Sequence, residues 1–195
     1  MTGRKERKMK KMFIVIVLFG IVVLVGTSAP RVLAYYNSGH HWDYANPTRV
    51  SVFMHSSILP AWIPAISHAM SSWNQAGAKY RFIAGQQGHE VRLQYLSDPY
   101  ALAVTYVREG WNNYRITDRD TYINSRFSWD VNGDPNKYDV ENVMAHEFGH
   151  WLMQMDLYGG GNYWKTMYGY NSIGETYKRT LHSDDIAGIR AIYGI

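Results

Sequence analysis

Residues 139–156, DVENVMAHEFGHWLMQMD, carry the features that decide how this chain folds. Asp139 is of the type that caps a helix by accepting hydrogen bonds from free backbone N–H groups. Behind it Val140, Val143, Met144 and Phe148 recur at the spacing of one apolar helix face. The spacing predicts a helix that starts near Asp139. On it His146 and His150 lie four residues apart, so both imidazoles project from one side about a turn apart. Two neutral imidazoles held so can grip a single divalent ion, and HExxH on a helix is a zinc-binding pattern in which the intervening glutamate, Glu147, is placed as general base. Peptide hydrolysis suits that arrangement. A neutral amide resists attack by water, and the cation both sharpens the nucleophile and stabilises the oxyanion, while Glu147 can carry the proton to the departing amine.

The rest of the 195 residues bounds what kind of protein contains this helix. Arg4, Lys5, Arg7, Lys8, Lys10 and Lys11 precede an apolar run over residues 13–26. Basic then apolar is the order of a secretory signal, and Val32-Leu33-Ala34 is a small-residue ending suited to cleavage before Tyr35. An apolar run of about 14 residues is short for a bilayer that needs roughly 20. We therefore expect a signal peptide over 1–34, a secreted, extracellular domain over 35–195, and no membrane attachment after cleavage. Residues 1–34 hold seven of the 20 basic residues and one of the 16 acidic ones, which leaves 13 against 15 in the remainder. The sequence pI of about 9.2 thus belongs to the leader, and no basic patch remains to bind nucleic acid. With no cysteine, stability outside the cell has to come from a packed core or bound metal. About 160 residues suffice for one such core, and we expect a monomer.

Upstream, Thr48–Met54 and Lys79–Ala84 alternate as half-buried strands do, through Val50, Val52 and Met54 and through Tyr80 and Phe82. Between them Ile66, Met70 and Trp73 recur at helical spacing from Pro64 to Gly77. Glu90–Leu96, Tyr100–Val107 and Asp120–Ser125 are rich in strand-forming residues. A last helix is expected after Ser183 as N-cap, with Asp184 and Asp185 at its positive end, Ile186, Ile189 and Ile192 buried, and Gly194 at its close. Composition and periodicity alone give α+β or α/β.

From Val50 onward the chain resembles the matrixin-type metzincins, the clan of zinc proteases that includes the matrix metalloproteinases. The resemblance is carried by Ser72-Trp73-Asn74, Tyr122-Ile123-Asn124, HEFGH, Thr166-Met167-Tyr168 and above all LHSDDIAGIRAIYG over 181–194. It implies an α+β fold with a mixed, mainly parallel twisted sheet, an early helix, the HExxH helix and a C-terminal helix. It implies a catalytic Zn2+ ion, a protein or peptide as substrate, and a Met-turn at Met167 beneath the metal. The clan usually reads HExxHxxGxxH, whereas this chain has Met153 for the glycine and Asp156 for the third histidine. Carboxylate oxygen coordinates zinc, and some small secreted bacterial metzincins use aspartate here, so the expected ligands are His146, His150 and Asp156. In an unbroken helix Asp156 would lie about 9 Å further along the axis than His150. The helix therefore has to break near Met153, where the clan's glycine implies a left-handed conformation that costs a non-glycine residue roughly 1–2 kcal/mol.

A carboxylate ligand lowers the site's net charge, weakens its Lewis acidity and predicts a more alkaline optimum. His182 and Glu175 are the alternative third ligands. The resemblance puts a substrate-pairing edge strand at Tyr100–Tyr106, where a peptide adds through backbone bonds, and Tyr168 and Tyr170 on a pocket wall. The acidic stretch Asp130–Asp139 is a candidate calcium loop. His40, His41 and Asp43 read as an ordinary exposed segment. Without cysteine the clan's cysteine switch has no counterpart, and export alone is expected to yield the active form. The competing reading is a zincin-like peptide-binding module with a structural metal or none, and a third is an adhesive surface protein, in which Glu147 between two histidines would have no task.

Overall fold

The computed structural model describes residues 40–42, 48–109 and 115–195. The leader over 1–34, the cleavage point at Ala34 and Asp43 lie outside the described residues. The first strand, β1 (Thr48–Met54), buries Val50 and Val52 against the helices, as its alternation predicts. The chain then enters α1 (Ile63–Asn74) through a short turn begun by Pro60, and Pro64 occupies the first helical turn, where a missing N–H costs nothing. Ala65, Ile66, Ala69, Met70 and Trp73 form the buried face of α1.

The helix returns the chain to β2 (Tyr80–Ala84), which pairs in parallel with β1 from Thr48 opposite Tyr80 to Val52 opposite Ala84. On the other side of β1 lies β3 (Glu90–Gln94), and beyond it β5 (Ile116–Asn124), both parallel. The remaining strand, β4 (Ala103–Glu109), runs antiparallel to β5 and closes the order β2-β1-β3-β5-β4. The sheet is thus mixed and mainly parallel, and β4 is an edge strand. Two strands depart from expectation. Tyr100 lies outside β4 and is almost fully exposed, and β5 begins at Ile116, four residues before Asp120.

The asparagines that end the SWN and YIN segments join separate elements through their side chains. The amide of Asn74 donates to Phe82 O (2.9 Å) and accepts from Phe82 N (2.7 Å), so that it acts as a strand neighbour for β2 and locks the end of α1 to the sheet. Asn124, fully buried, accepts from the amides of Leu96 (3.2 Å) and Arg126 (3.1 Å) and donates to Ala101 O (2.8 Å), tying the loop that leads into β4 to the turn that follows β5.

A two-residue parallel pair, β6 (Trp129–Asp130) with β7 (Tyr138–Asp139), leads into α2 (Val140–Trp151). Asp139 caps α2 by accepting from Asn142 N (2.8 Å). Val140, Val143, Met144, Ala145, Phe148 and Trp151 are all buried, and Trp73 Nε1 donates to Ala145 O (2.8 Å) to join α1 to α2. The last helix, α3 (Ser183–Tyr193), corrects one expectation: its N-cap is His182, not Ser183. The His182 imidazole accepts from Asp184 N (3.3 Å) while Asp185 reaches back to His182 N (2.8 Å), a reciprocal capping box built with an imidazole. Gly194, at φ 78°, closes α3 as anticipated.

Candidate active site

The third potential ligand comes within reach because of how α2 ends. Leu152 is the C-cap and Met153 adopts φ 66°, the sole positive φ among the described non-glycine residues. Met153 N donates to His150 O (3.0 Å) and Gln154 N to Gly149 O (3.0 Å), the paired bonds of a Schellman motif. The chain therefore turns sharply at the residue where left-handed backbone was anticipated. Met153 carries a strain that glycine would not, and it buries its side chain against the core and the guanidinium of Arg119.

That turn brings Asp156 back under the helix. Asp156 Oδ1 lies 3.1 Å from His146 Nε2 and 3.5 Å from His150 Nε2, and the two Nε2 atoms are 3.1 Å apart. Each imidazole is oriented by a carbonyl: His146 Nδ1 bonds Thr166 O (2.8 Å) and His150 Nδ1 bonds Gln154 O (2.8 Å). A carbonyl can only accept, so in the neutral ring the proton sits on Nδ1 and the Nε2 lone pair is directed into the cluster. Two such lone pairs and a carboxylate oxygen make the donor set of a zinc site.

The His150 imidazole and the Asp156 carboxylate favour each other's charged forms. Burial pushes the His150 imidazole down, but the adjacent Asp156 carboxylate outweighs it, and with Glu147 raises its pKa to about 9. Burial pushes the Asp156 carboxyl up, yet the His146 and His150 imidazoles hold it well below the usual carboxylate range. The spacing of the three donor atoms suits a zinc ion. Ligand bonds of about 2.0–2.1 Å at tetrahedral angles put ligand atoms roughly 3.3 Å apart, which the 3.1–3.5 Å spacings match.

Met167 is fully buried on the turn after Lys165. Gly149 on α2 leaves the space it fills: a Cβ there would collide with Met167 Sδ and press on Trp73. A short bridge, Leu157 N to Met167 O (2.7 Å) and Gly169 N to Leu157 O (3.0 Å), holds the segment after Asp156 against this turn.

Glu147 is buried beside the histidines, and its Oε2 accepts from Thr105 Oγ1 of β4 (2.5 Å). Thr105 and Tyr158 escaped sequence reasoning as site residues. The Tyr158 hydroxyl donates to Asp156 Oδ2 (3.3 Å), and its ring lies over Gly169, where a Cβ would clash. Burial, then the Asp156 charge, pushes the Tyr158 phenol up to about 12. Tyr158 packs on Tyr170, and Tyr170 on Tyr168, so the two tyrosines expected on a wall belong to an aromatic group that reaches the cluster.

The alternative third ligands are occupied elsewhere. Glu175 accepts from Asn142 Nδ2 (3.1 Å) and Ser172 N (3.0 Å) and pairs with the fully buried Lys178 (3.2 Å). Lys178 also donates to Tyr168 O (2.8 Å) and Tyr170 O (2.6 Å), which pins the loop after Met167 from within. His182 caps α3. In the acidic stretch, Asp130 accepts from Asn132 N (2.6 Å) and Asp134 N (3.0 Å), and Asp139 is shared between the α2 cap and Arg179.

The sequence over residues 36–194 matches the family model described as Matrixin. No curated protein matches the chain. Among solved structures it is similar to high choriolytic enzyme 1, a hatching enzyme zinc-protease from Oryzias latipes (medaka fish), at 13% identity and a TM-score of 0.48, over 81% of this chain and 96% of that one. The family match spans nearly the whole described domain, and this chain belongs to the matrixins, a family of zinc metalloendopeptidases.

Proposed function

We propose that this chain is a secreted endopeptidase in which His146, His150 and Asp156 hold the catalytic zinc and Glu147 is the general base. One observation carries the reading: two imidazole lone pairs and one carboxylate oxygen converge at zinc-ligand spacing with the Glu147 carboxylate alongside. Bound zinc would supply Lewis acidity, sharpening a water molecule as nucleophile and taking up charge on the scissile carbonyl oxygen. Glu147 accepts the proton that water loses on attack and passes it to the leaving amine. Tyr158 steadies Asp156 from the outer side.

The substrate is an extended peptide that adds to the outer edge of β4 through backbone hydrogen bonds. Such pairing tolerates many sequences and leaves selectivity to side-chain pockets. The loop carrying Tyr168 and Tyr170 supports a pocket wall beside the site. The basic and apolar leader supports export with cleavage after Ala34. The commitment of Asp130 and Asp139 to protein donors favours a structural use of that loop over calcium binding.

Glu147→Gln tests the mechanism. Purified variant protein should keep wild-type zinc and lose casein hydrolysis by at least a hundredfold. Hydrolysis at the wild-type rate would remove Glu147 as the base. Zinc-loaded wild-type protein that cleaves no peptide would turn the reading to a peptide-binding module.

A further inference from the structure

The Glu147 carboxylate is the end point of a series of hydrogen bonds that starts on its own helix and passes through the sheet. Trp151 Nε1 donates to Thr121 Oγ1 (2.7 Å), the Thr121 and Thr105 hydroxyls are 2.7 Å apart, and Thr105 Oγ1 donates to Glu147 Oε2 (2.5 Å). The two ends fix the direction. An indole N–H can only donate and an ionised carboxylate can only accept, while each hydroxyl has one proton to give. The arrangement that uses every proton runs Trp151 to Thr121 to Thr105 to Glu147.

The backbone sets this series up. Thr105 on β4 and Thr121 on β5 are register partners in the antiparallel pair, so their hydroxyls meet face to face on the side of the sheet that packs on α2. Trp151 and Thr121 are wholly buried, Glu147 is buried and Thr105 is half-buried, so the series runs from the core to the edge of the site. Among the described residues no donor is directed at the other carboxylate oxygen, Glu147 Oε1.

We propose that Thr105 is a positioning residue for Glu147: its hydroxyl fixes Oε2 and leaves Oε1 as the oxygen that takes the proton from water. The inference rests on the general-base reading of Glu147 and adds to it a dependence on the strand that the substrate pairs with. Because Thr105 stands on β4, a peptide docking along that edge also braces the residue that orients the base.

The test compares Thr105→Val, which keeps the shape and removes the donor, with Thr105→Ser, which keeps the hydroxyl. A fluorogenic peptide reports kcat and KM, with zinc content measured on the same samples. Thr105→Val should lower kcat about ten- to hundredfold, the worth of a hydrogen bond to a charged group. Its KM and zinc content should stay within twofold of wild type, and Thr105→Ser should recover most of kcat. Wild-type kcat in Thr105→Val, with Glu147→Gln inactive, would overturn the proposal and leave the base assignment standing. An active Glu147→Gln would instead remove the base assignment and the proposal together. If Thr105→Val fails to fold, Thr105→Ala against Thr105→Ser decides: equal kcat in the two overturns the proposal, and loss in alanine alone supports it.

Discussion

Met153 offers a perturbation in which two opposing effects can be separated. Its φ of 66° is a conformation that costs a residue with a Cβ roughly 1–2 kcal/mol, and its side chain is almost entirely buried. Met153→Ala keeps the strain and loses the packing, which for a buried methionine costs about 2–5 kcal/mol. Met153→Gly loses the same packing and relieves the strain, and it adds about 0.5–1 kcal/mol of chain entropy to the unfolded state. Glycine should therefore be more stable than alanine here by about 0.5–1 kcal/mol, with both well below wild type. The order is the reverse of that in a helix interior, where alanine leads glycine by about 1 kcal/mol. Urea titration of the metal-free protein, followed by tryptophan fluorescence, measures the three midpoints. Alanine more stable than glycine would refute the strain, and glycine as stable as wild type would refute the contribution of the buried side chain.

Other consequences follow from the same geometry. Zinc uptake should be coupled to proton release, because His150, raised to about 9 by Asp156, keeps a proton in the metal-free fold at neutral pH that zinc has to displace. That proton stabilises the metal-free fold fully below the unfolded value near 6.5 and ceases to as pH rises through about 9. Zinc affinity should accordingly tighten by about tenfold per pH unit from 7 to 9, which competition with a chelator indicator measures, and a pH-independent affinity would contradict it. Gly149→Ala should destabilise by about 1–2 kcal/mol despite alanine's better helix propensity, since its Cβ meets Met167 and Trp73; thermal unfolding without loss in Tm would show that the turn yields. His182→Ala should cost about 1 kcal/mol of stability through the lost cap and leave zinc content unchanged, and loss of zinc would return His182 to the ligand candidates.

Local signals with a physical cause were legible in the sequence. Alternation placed β1, Asp139 placed the start of α2, and the family pattern located the break at Met153 that brings Asp156 to the histidines. The mixed sheet and its edge strand came from resemblance, whereas the strand order and the reversed direction of β4 came from the structure alone, because pairing between distant strands leaves no trace in periodicity. The N-cap of α3 was misplaced by one residue because serine is the commoner cap, and the imidazole takes that role here through Asp184 N. Thr105 was visible only as a residue within the expected edge strand Tyr100–Tyr106, since its partner Glu147 is 42 positions away and only the packing of α2 on β4 joins them. Glu175 was readable as an acidic residue near the site, but not as the partner of a buried lysine that holds the loop after Met167.

The central claim is that Asp156 completes the zinc site, and the most direct measurement is zinc per chain in wild type and Asp156→Ala after exhaustive dialysis at pH 7.5. One zinc per wild-type chain and a fall to a small fraction of that in the variant, with helix content retained by circular dichroism, is the expected result. Undiminished zinc in folded Asp156→Ala would contradict the assignment.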